Sequence, residues 1–498
     1  MSLNRKTQSP SSFDADAAVN LSADLHARTT LQGWVGIKNI DRREFLKVGG
    51  AGSLAMATVA GAPAAESNNE PKPNILLVIT DQQHIDTIAA GGCDHIRTPH
   101  LDTLKNRGVS FTQSYSPNPV CSPARSAIFT GRTTSETGVY TNGKSIRSDI
   151  PNLGQWFSEH TDYETLYAGK WHVPGTHQNE IEGFDVLHTG IGGQGNLGDT
   201  ATSQACAAYL RNRQADRPFL MVASFMQPHD ICEWLRLNTE NPEQLRYAEL
   251  ADRLPPLPDN FEFDVREPAK IQETRQANDP TKGGWNEQQW RYYRWSYYRH
   301  VEMVDGEVGR ILQALEDTGQ DQNTLILFTA DHGEGLGHHQ MVRKSSPYDE
   351  ASKVPMLISL PEHIQAQHTD VSHLVSGLDI VPTLCDYAGI ESPPHMRGAS
   401  LRPLLEVGAT SWRDYIVTEM PGNRARLVRT ERYKYVSYAD DPVDQLFDMQ
   451  DDPGETENLA SDPRYAHVVA EHRQLLRQWE SRLDVSPDLP HAEAWWRS

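Results

Sequence analysis

Three uninterrupted apolar runs constrain this chain more than any other feature: Ile75-Leu-Leu-Val-Ile-Thr80, Phe219-Leu-Met-Val-Ala-Ser-Phe225 and Thr324-Leu-Ile-Leu-Phe-Thr-Ala330. A strand with one wet face alternates apolar and polar residues, whereas a run that is apolar at nearly every position needs cover on both faces. The runs therefore predict a parallel or mixed sheet between layers of helices, an α/β fold. Each ends in polar residues, Asp81-Gln82-Gln83, Gln227-Pro228-His229 and Asp331-His332. Ligands of open α/β sheets bind beyond the carboxyl ends of the strands, so these three tips are expected to share one site. A helical pattern runs from about 297 to 315, with Val301, Val304, Val308, Ile311, Leu312 and Leu315 on one face. After Gly398–Leu405 the texture changes to short alternating segments over Arg426–Tyr438 and Gln445–Met449, then a helical stretch from about 465 to 482. That pattern predicts a small antiparallel sheet with a terminal helix.

The 498 residues carry a formal charge of −21, enough chain for a large core and too acidic for sequence-independent binding to a phosphate backbone. Nucleic acid is not an expected partner, and any anionic substrate must meet a local cationic pocket. The five cysteines, Cys93, Cys121, Cys206, Cys232 and Cys385, form no CxxC pair, so neither a disulfide framework nor a zinc knuckle is indicated. Near the start, Asp41-Arg-Arg-Glu-Phe-Leu-Lys47 precedes a weakly apolar run, Val48 to Ala62, and the small residues Ala62-Pro63-Ala64. This resembles a twin-arginine export signal. The run is shorter than the ~20 apolar residues a membrane helix requires, so no stable membrane span is expected. The chain thus divides into an extension and signal over 1–64, a catalytic domain over 65–408 and a C-terminal subdomain over 409–498. Its expected location is the periplasm or the medium, reached through the twin-arginine machinery.

The most informative segment is Pro119-Val-Cys121-Ser-Pro-Ala-Arg125, running on to Gly131-Arg132. A Cys in a Ser/Pro turn before a helix-like run sits near helix N–H groups, which lower a thiol pKa and favour an anion. Arg125, one turn along, points back at the same place. From the residues alone, a cysteine nucleophile and an inert cap remain equally open. The Cys-x-Pro-x-Arg…Gly-Arg pattern is similar to the signature of the type I sulfatases, in which this Cys is oxidised to Cα-formylglycine. The resemblance extends, in order, through Ala168-Gly-Lys170-Trp171-His172, Gln227-Pro228-His229, Asp331-His332-Gly333, Lys344 with Tyr348-Asp349-Glu350, Asp379-Ile-Val-Pro382-Thr383 and Leu446-Phe-Asp448. It implies the alkaline phosphatase superfamily fold, a large mixed α/β sandwich with a small C-terminal subdomain.

Carried over by position, the resemblance implies that Asp81, Gln82, Asp331 and His332 hold a divalent metal, with the modified Cys121 completing the shell. Such an oxygen-rich site suits Ca²⁺ or Mg²⁺. Gln82 and His332 replace a carboxylate and an amide of the commonest pattern, and an imidazole nitrogen also admits Mn²⁺. This variant resembles the branch that holds choline-sulfatase-like enzymes, phosphonate monoester hydrolases and many bacterial polysaccharide sulfatases. A sulfate ester needs a strong oxygen nucleophile, cations on its oxygens and a proton for the leaving alkoxide. The resemblance assigns the nucleophile to the hydrated aldehyde at Cys121, held by Arg125 and His172, with His172 as the base that releases sulfate. It assigns Lys170 and Lys344 to the sulfate oxygens and His229 to the leaving group. The implied activity is hydrolysis of sulfate esters, of a sulfated carbohydrate in the first place, after maturation by a formylglycine-generating enzyme. A phosphonate or phosphate ester hydrolase and a choline-sulfatase are the alternatives. Weaker candidates are His338 and His339, as neighbours of the leaving group or a surface pair. The aromatic-dense stretch Trp234, Trp285, Trp290, Trp295 with Tyr292, Tyr293, Tyr297 and Tyr298 is read as a sugar platform or core, and Asp230 and Asn142 as hydroxyl contacts or loop supports.

Overall fold

The computed structural model describes residues 72–189, 195–214, 216–240, 248–279, 284–408 and 411–490, so the export signal expected over 1–64 lies outside the described residues. Residues 409 and 410, at the expected subdomain boundary, lie outside them too. Residues 70–498 cluster as one compact unit.

The strands are β1 Asn74–Asp81, β2 Val109–Phe111, β3 Ser114–Tyr115, β4 Glu164–Gly169, β5 Asp185–His188, β6 Phe219–Pro228, β7 Thr324–Ala330, β8 Met356–Ser359, β9 His368–Asp370 and β10 Val375–Ser376, then β11 Tyr415–Glu419, β12 Ala425–Thr430, β13 Tyr433–Tyr438 and β14 Gln445–Asp448. Eight of them form one mixed sheet in the order β5-β4-β6-β1-β7-β8-β2-β9. The three apolar runs are its adjacent centre, β6-β1-β7, all parallel, and β8 runs antiparallel to β7. Side chains alternate across the pleat, which explains the continuous apolar run. Ile75, Leu77 and Ile79 join the core on one face, with Phe129, Phe157 and Tyr167. Leu76 and Val78 join the core on the other, with Val304, Val308, Ile311 and Leu315 of the long helix.

That helix spans Glu287–Asp317, ten residues earlier than its aliphatic stripe suggests, and starts at a capping box in which Asn286 accepts from Gln289 N–H. The aromatic stretch therefore lies largely on its first turns. Trp234, Trp285, Trp290 and Tyr293 pack edge to face against one another, which makes this stretch predominantly core.

The expected C-terminal sheet is four-stranded and antiparallel, β11-β12-β13-β14, with β11 an additional strand before the alternating stretch. The terminal helix Ala466–Glu480 covers one face through Val468, Val469 and Leu476 against Val428, Tyr435 and Leu446. The other face meets the catalytic layer. There Lys434, fully buried, reaches Asp349 Oδ1 at 2.8 Å and Glu455 Oε1 at 2.5 Å. Removing one partner of a buried ion network strands the others and costs ~3–5 kcal/mol. Lys434→Ala should therefore lower the denaturant midpoint markedly. Burial already pushes Glu455 up to about 8, so an unchanged midpoint would mean that the acid takes up a proton and Lys434 contributes little.

Candidate active site

Cys121 is the first residue of the helix Cys121–Thr130, entered through extended Val120. Pro123 is tolerated there because first-turn N–H groups have no helical partner. The N–H of Ser122 instead donates to Asn142 Oδ1 at 3.0 Å, a loop-supporting role for Asn142. Gly131 ends the helix in the left-handed region at φ 66°, and a Cβ there would meet Met396 Sδ at 2.4 Å. The helix is wholly buried, so its amino end presents Cys121 beneath the carboxyl edge of the sheet.

Arg125 ties the strand tips together. Its Nε donates to Asp331 Oδ2 at 2.9 Å beyond β7, and NH2 to Asp81 Oδ2 at 3.2 Å on β1. NH1 donates to the Lys170 carbonyl beyond β4 at 2.9 Å and to Ser224 Oγ on β6 at 2.7 Å. The guanidinium thus binds four neighbouring strands and orients both carboxylates. Burial opposes its charge, but Asp331 and Asp81 hold its pKa above the ordinary arginine range. The fourth strand, β4, brings Lys170, whose ammonium donates to Asp81 Oδ2 at 2.6 Å.

The donor chemistry fits a divalent cation. One ligand atom each from Asp81, Cys121, Asp331 and His332 lies within 4.8 Å of the others, and all four residues are buried. His332 Nδ1 lies 2.9 Å from the Gly333 carbonyl, which can only accept, so Nδ1 carries the proton and Nε2 offers a lone pair. That Nε2 lies 3.3 Å from Cys121 Sγ and 3.6 Å from Asp331 Oδ1. Asp331 Oδ1 also accepts the backbone N–H groups of Gln82 and His332 at 3.1 and 2.9 Å. Burial and neighbouring Asp81 push the Asp331 carboxyl up to about 6. Negative charge crowded in a low-dielectric pocket produces such a shift, and a cation among the oxygens relieves it. Gln82, in the left-handed region at φ 68°, turns its side chain toward the same cluster, with Oε1 3.0 Å from Lys344 Nζ.

Lys344 Nζ also lies 2.8 Å from Cys121 Sγ. Burial and Asp81 push the Cys121 thiol up, but the Lys170 and Lys344 ammoniums hold it well below the ordinary thiol range. His172, at φ 65° beyond β4, hydrogen-bonds Cys121; burial lowers its pKa despite that bond, leaving a neutral imidazole. His229, at the tip of β6, is depressed to about 3, first by burial and then by the Lys344 ammonium. The weaker candidates are taken up elsewhere. His338 meets Asn260 Oδ1 at 2.6 Å and Glu350 Oε1 at 3.1 Å, and His339, 2% exposed and so no surface residue, stacks on Tyr348 at 3.9 Å. Asp230 accepts from the Gly195 N–H and Gln227 Nε2, supporting the start of the helix Gly195–Asn212. Two residues at the cluster escaped sequence reasoning. Glu334 and Cys232 both contact Gln82, and only their nearness to Asp331-His332 and to His229 along the chain could have suggested them.

A mixed sheet of this order, with buried carboxylates, cations and a thiol on the first residue of a buried helix at its carboxyl edge, defines a hydrolase of the alkaline phosphatase superfamily. The family model described as Sulfatase matches residues 73–390, and that described as N-sulphoglucosamine sulphohydrolase, C-terminal, matches 337–482. The chain belongs to the sulfatase family and is a sulfuric ester hydrolase. The Delta 4,5-hexuronate-2-O-sulfatase of Bacteroides thetaiotaomicron is 32% identical over 450 residues, covering 84% of this chain and 91% of that protein. A solved 2-O GAG sulfatase superposes with a TM-score of 0.73 at 32% identity, over 82% of this chain and 92% of its own. The phosphonate monoester hydrolase of Agrobacterium radiobacter superposes at 0.69 over 82% of this chain and 96% of its own; at 24% identity that likeness is one of fold.

Proposed function

We propose that this sulfatase acts on a sulfated carbohydrate, through an oxidised Cys121 and a divalent cation held by Asp81, Gln82, Asp331 and His332. The observation that carries the reading is Cys121 itself, 1% exposed and enclosed by Lys344, His332, His172 and Asp81, where a bare thiol has no sulfate-releasing chemistry. The carbohydrate follows from the 32% identical hexuronate sulfatase and the 2-O GAG sulfatase. Formylglycine at 121 would supply a hydrated aldehyde as oxygen nucleophile, and a Ca²⁺, Mg²⁺ or Mn²⁺ held by Asp81, Gln82, Asp331 and His332 would supply charge neutralisation beside it.

The chain's own groups do the rest. Arg125 holds Asp81 and Asp331 in place. Lys344, and Lys170 from its seat on Asp81, neutralise the sulfate oxygens. His172, neutral and bonded to the side chain at 121, takes the proton when sulfate departs. His229 donates to the leaving oxygen. Burial first, and then the Lys344 ammonium, depress its pKa; an anionic sulfate beside Lys344 opposes the second of these and favours the protonated imidazole when substrate is bound.

We assign the protein to the periplasm or the medium on the Asp41–Lys47 pattern and the Ala-rich stretch behind it. Among the described residues no helix is long and apolar enough to cross a membrane. A buried Cys121 is closed to a modifying enzyme once the chain has folded, and the twin-arginine route carries folded protein, so oxidation should precede export. Mass spectrometry of the peptide containing Cys121 should show the aldehyde in both precursor and exported enzyme. Sulfate should be released from sulfated oligosaccharides in step with the modified fraction. Full turnover by purely unmodified protein would refute the mechanism, and unmodified precursor alongside modified exported enzyme would refute the order.

A further inference from the structure

The amide of Gln82 has two possible senses, and its neighbours decide which. Its Nε2 lies 2.5 Å from Glu334 Oε2 and 3.3 Å from Cys232 Sγ, while its Oε1 faces the ammonium of Lys344. The reverse sense would set an amide oxygen against a carboxylate and an NH₂ against an ammonium. The amide oxygen therefore points to the cluster, and what holds it there is Glu334. This carboxylate has no solvent exposure and forms no ion pair among the described residues. Its other donors are neutral: the hydroxyl of Tyr293, the backbone N–H of Arg343 and, at 3.4 Å, that of Leu336. Tyr297 secures the backbone of the same segment, its hydroxyl donating to the Gln82 carbonyl at 2.6 Å.

A buried carboxylate without a cation is costly unless its charge is used. Here the charge abuts one end of an amide whose other end faces Lys344, which itself lies 2.8 Å from Cys121 Sγ. We propose that Glu334 is a positioning residue for the metal centre: it fixes the rotamer of Gln82 and, through a charge-assisted hydrogen bond, makes the amide oxygen a stronger donor to a divalent cation. Gln82 thereby acts as a partly anionic ligand although it carries no charge. Cys232 takes the second amide hydrogen and is the weaker anchor. The inference rests on the metal-centre reading above.

The test is uptake of Mn²⁺, and separately of Ca²⁺, by metal-free protein, measured by calorimetry and by electron paramagnetic resonance of free Mn²⁺, with thermal melting of the metal-free form in parallel. Loss of an outer partner of a metal ligand typically weakens binding ~10–100-fold. E334Q should show that loss while melting near wild type, and Q82E/E334Q, which moves the carboxylate onto the ligand position, should regain it. Wild-type affinity in folded E334Q would overturn the inference. Should E334Q fail to fold, Q82E alone decides. A carboxylate added to a metal site ordinarily tightens binding, but one set against Glu334 must share a proton or be repelled, so Q82E should bind no more tightly than wild type. Tighter binding by Q82E would overturn the proposal. Wild-type protein that takes up neither ion would defeat the metal-centre reading itself, a result distinct from equal affinities in wild type and E334Q.

Discussion

Asp331→Ala should lose bound metal and activity together. The residue is fully buried, its Oδ1 takes two backbone N–H groups at the cluster and its Oδ2 anchors Arg125. One change thus removes one of the two carboxylates facing the site and one of the two carboxylate partners of the guanidinium that orients the other. The loss in metal affinity should exceed the ~10–100-fold typical of outer partners. Breaking one side of a buried pair also costs ~3–5 kcal/mol, so the melting temperature of the metal-free protein must be measured beside metal content. Asp331→Asn separates the two effects, because it keeps the volume and, with its amide oxygen at the Oδ1 position, the acceptor for both backbone N–H groups. It should melt closer to wild type yet still bind metal weakly. Stoichiometric metal retained by folded Asp331→Ala would mean that the site has been misplaced.

His229→Ala and Lys344→Ala should slow the enzyme in different ways. A sugar alkoxide needs a proton to depart and a nitrophenolate hardly does, so loss of a proton donor should track the leaving group. General acids contribute ~10²–10⁴-fold, and His229→Ala should lose on that order with a sulfated sugar and far less with nitrophenyl sulfate. Lys344, 2.8 Å from Cys121 Sγ, meets the sulfate whichever group leaves, so its removal should slow both substrates to a similar degree. Rates at subsaturating substrate compare transition-state stabilisation directly. Equal losses on both substrates for His229→Ala would make it a sulfate-binding group. The donor would then not be sought at His338 or His339, which Asn260, Glu350 and Tyr348 hold.

Much of the site was legible because its residues stand at punctuation points of the chain. Asp81, His229 and Asp331-His332 each follow an apolar run, and β1, β6 and β7 prove to be adjacent and parallel, so their tips meet. The start of the long helix was less legible. A stripe of Val and Ile marks the half that packs on the sheet, whereas the half before Tyr297 buries aromatic rings in a separate cluster and shows no aliphatic period. Strand β11 was missed because Tyr415–Glu419 is short and borders a change of texture. Arg125 illustrates the limit for side chains: its spacing from Cys121 is one helical turn, but nothing local says that its donors reach Asp81, Asp331, Ser224 and the Lys170 carbonyl.

What this sequence by itself determined is therefore the periodic and the local: strands covered on both faces, the helix that starts at Cys121, a polar residue at each strand end, and the order of signatures that marks a sulfatase. Those features depend on near neighbours in the chain and on the burial that each segment demands. The tertiary structure alone decided which charges face one another. Asp81 meets Lys170 across 89 positions, Lys344 meets Cys121 across 223, and Gln82 meets Glu334 across 252. Whether a buried carboxylate binds a cation, holds an arginine or steers an amide depends on partners a few ångströms away, and in low dielectric those partners set its protonation and its role.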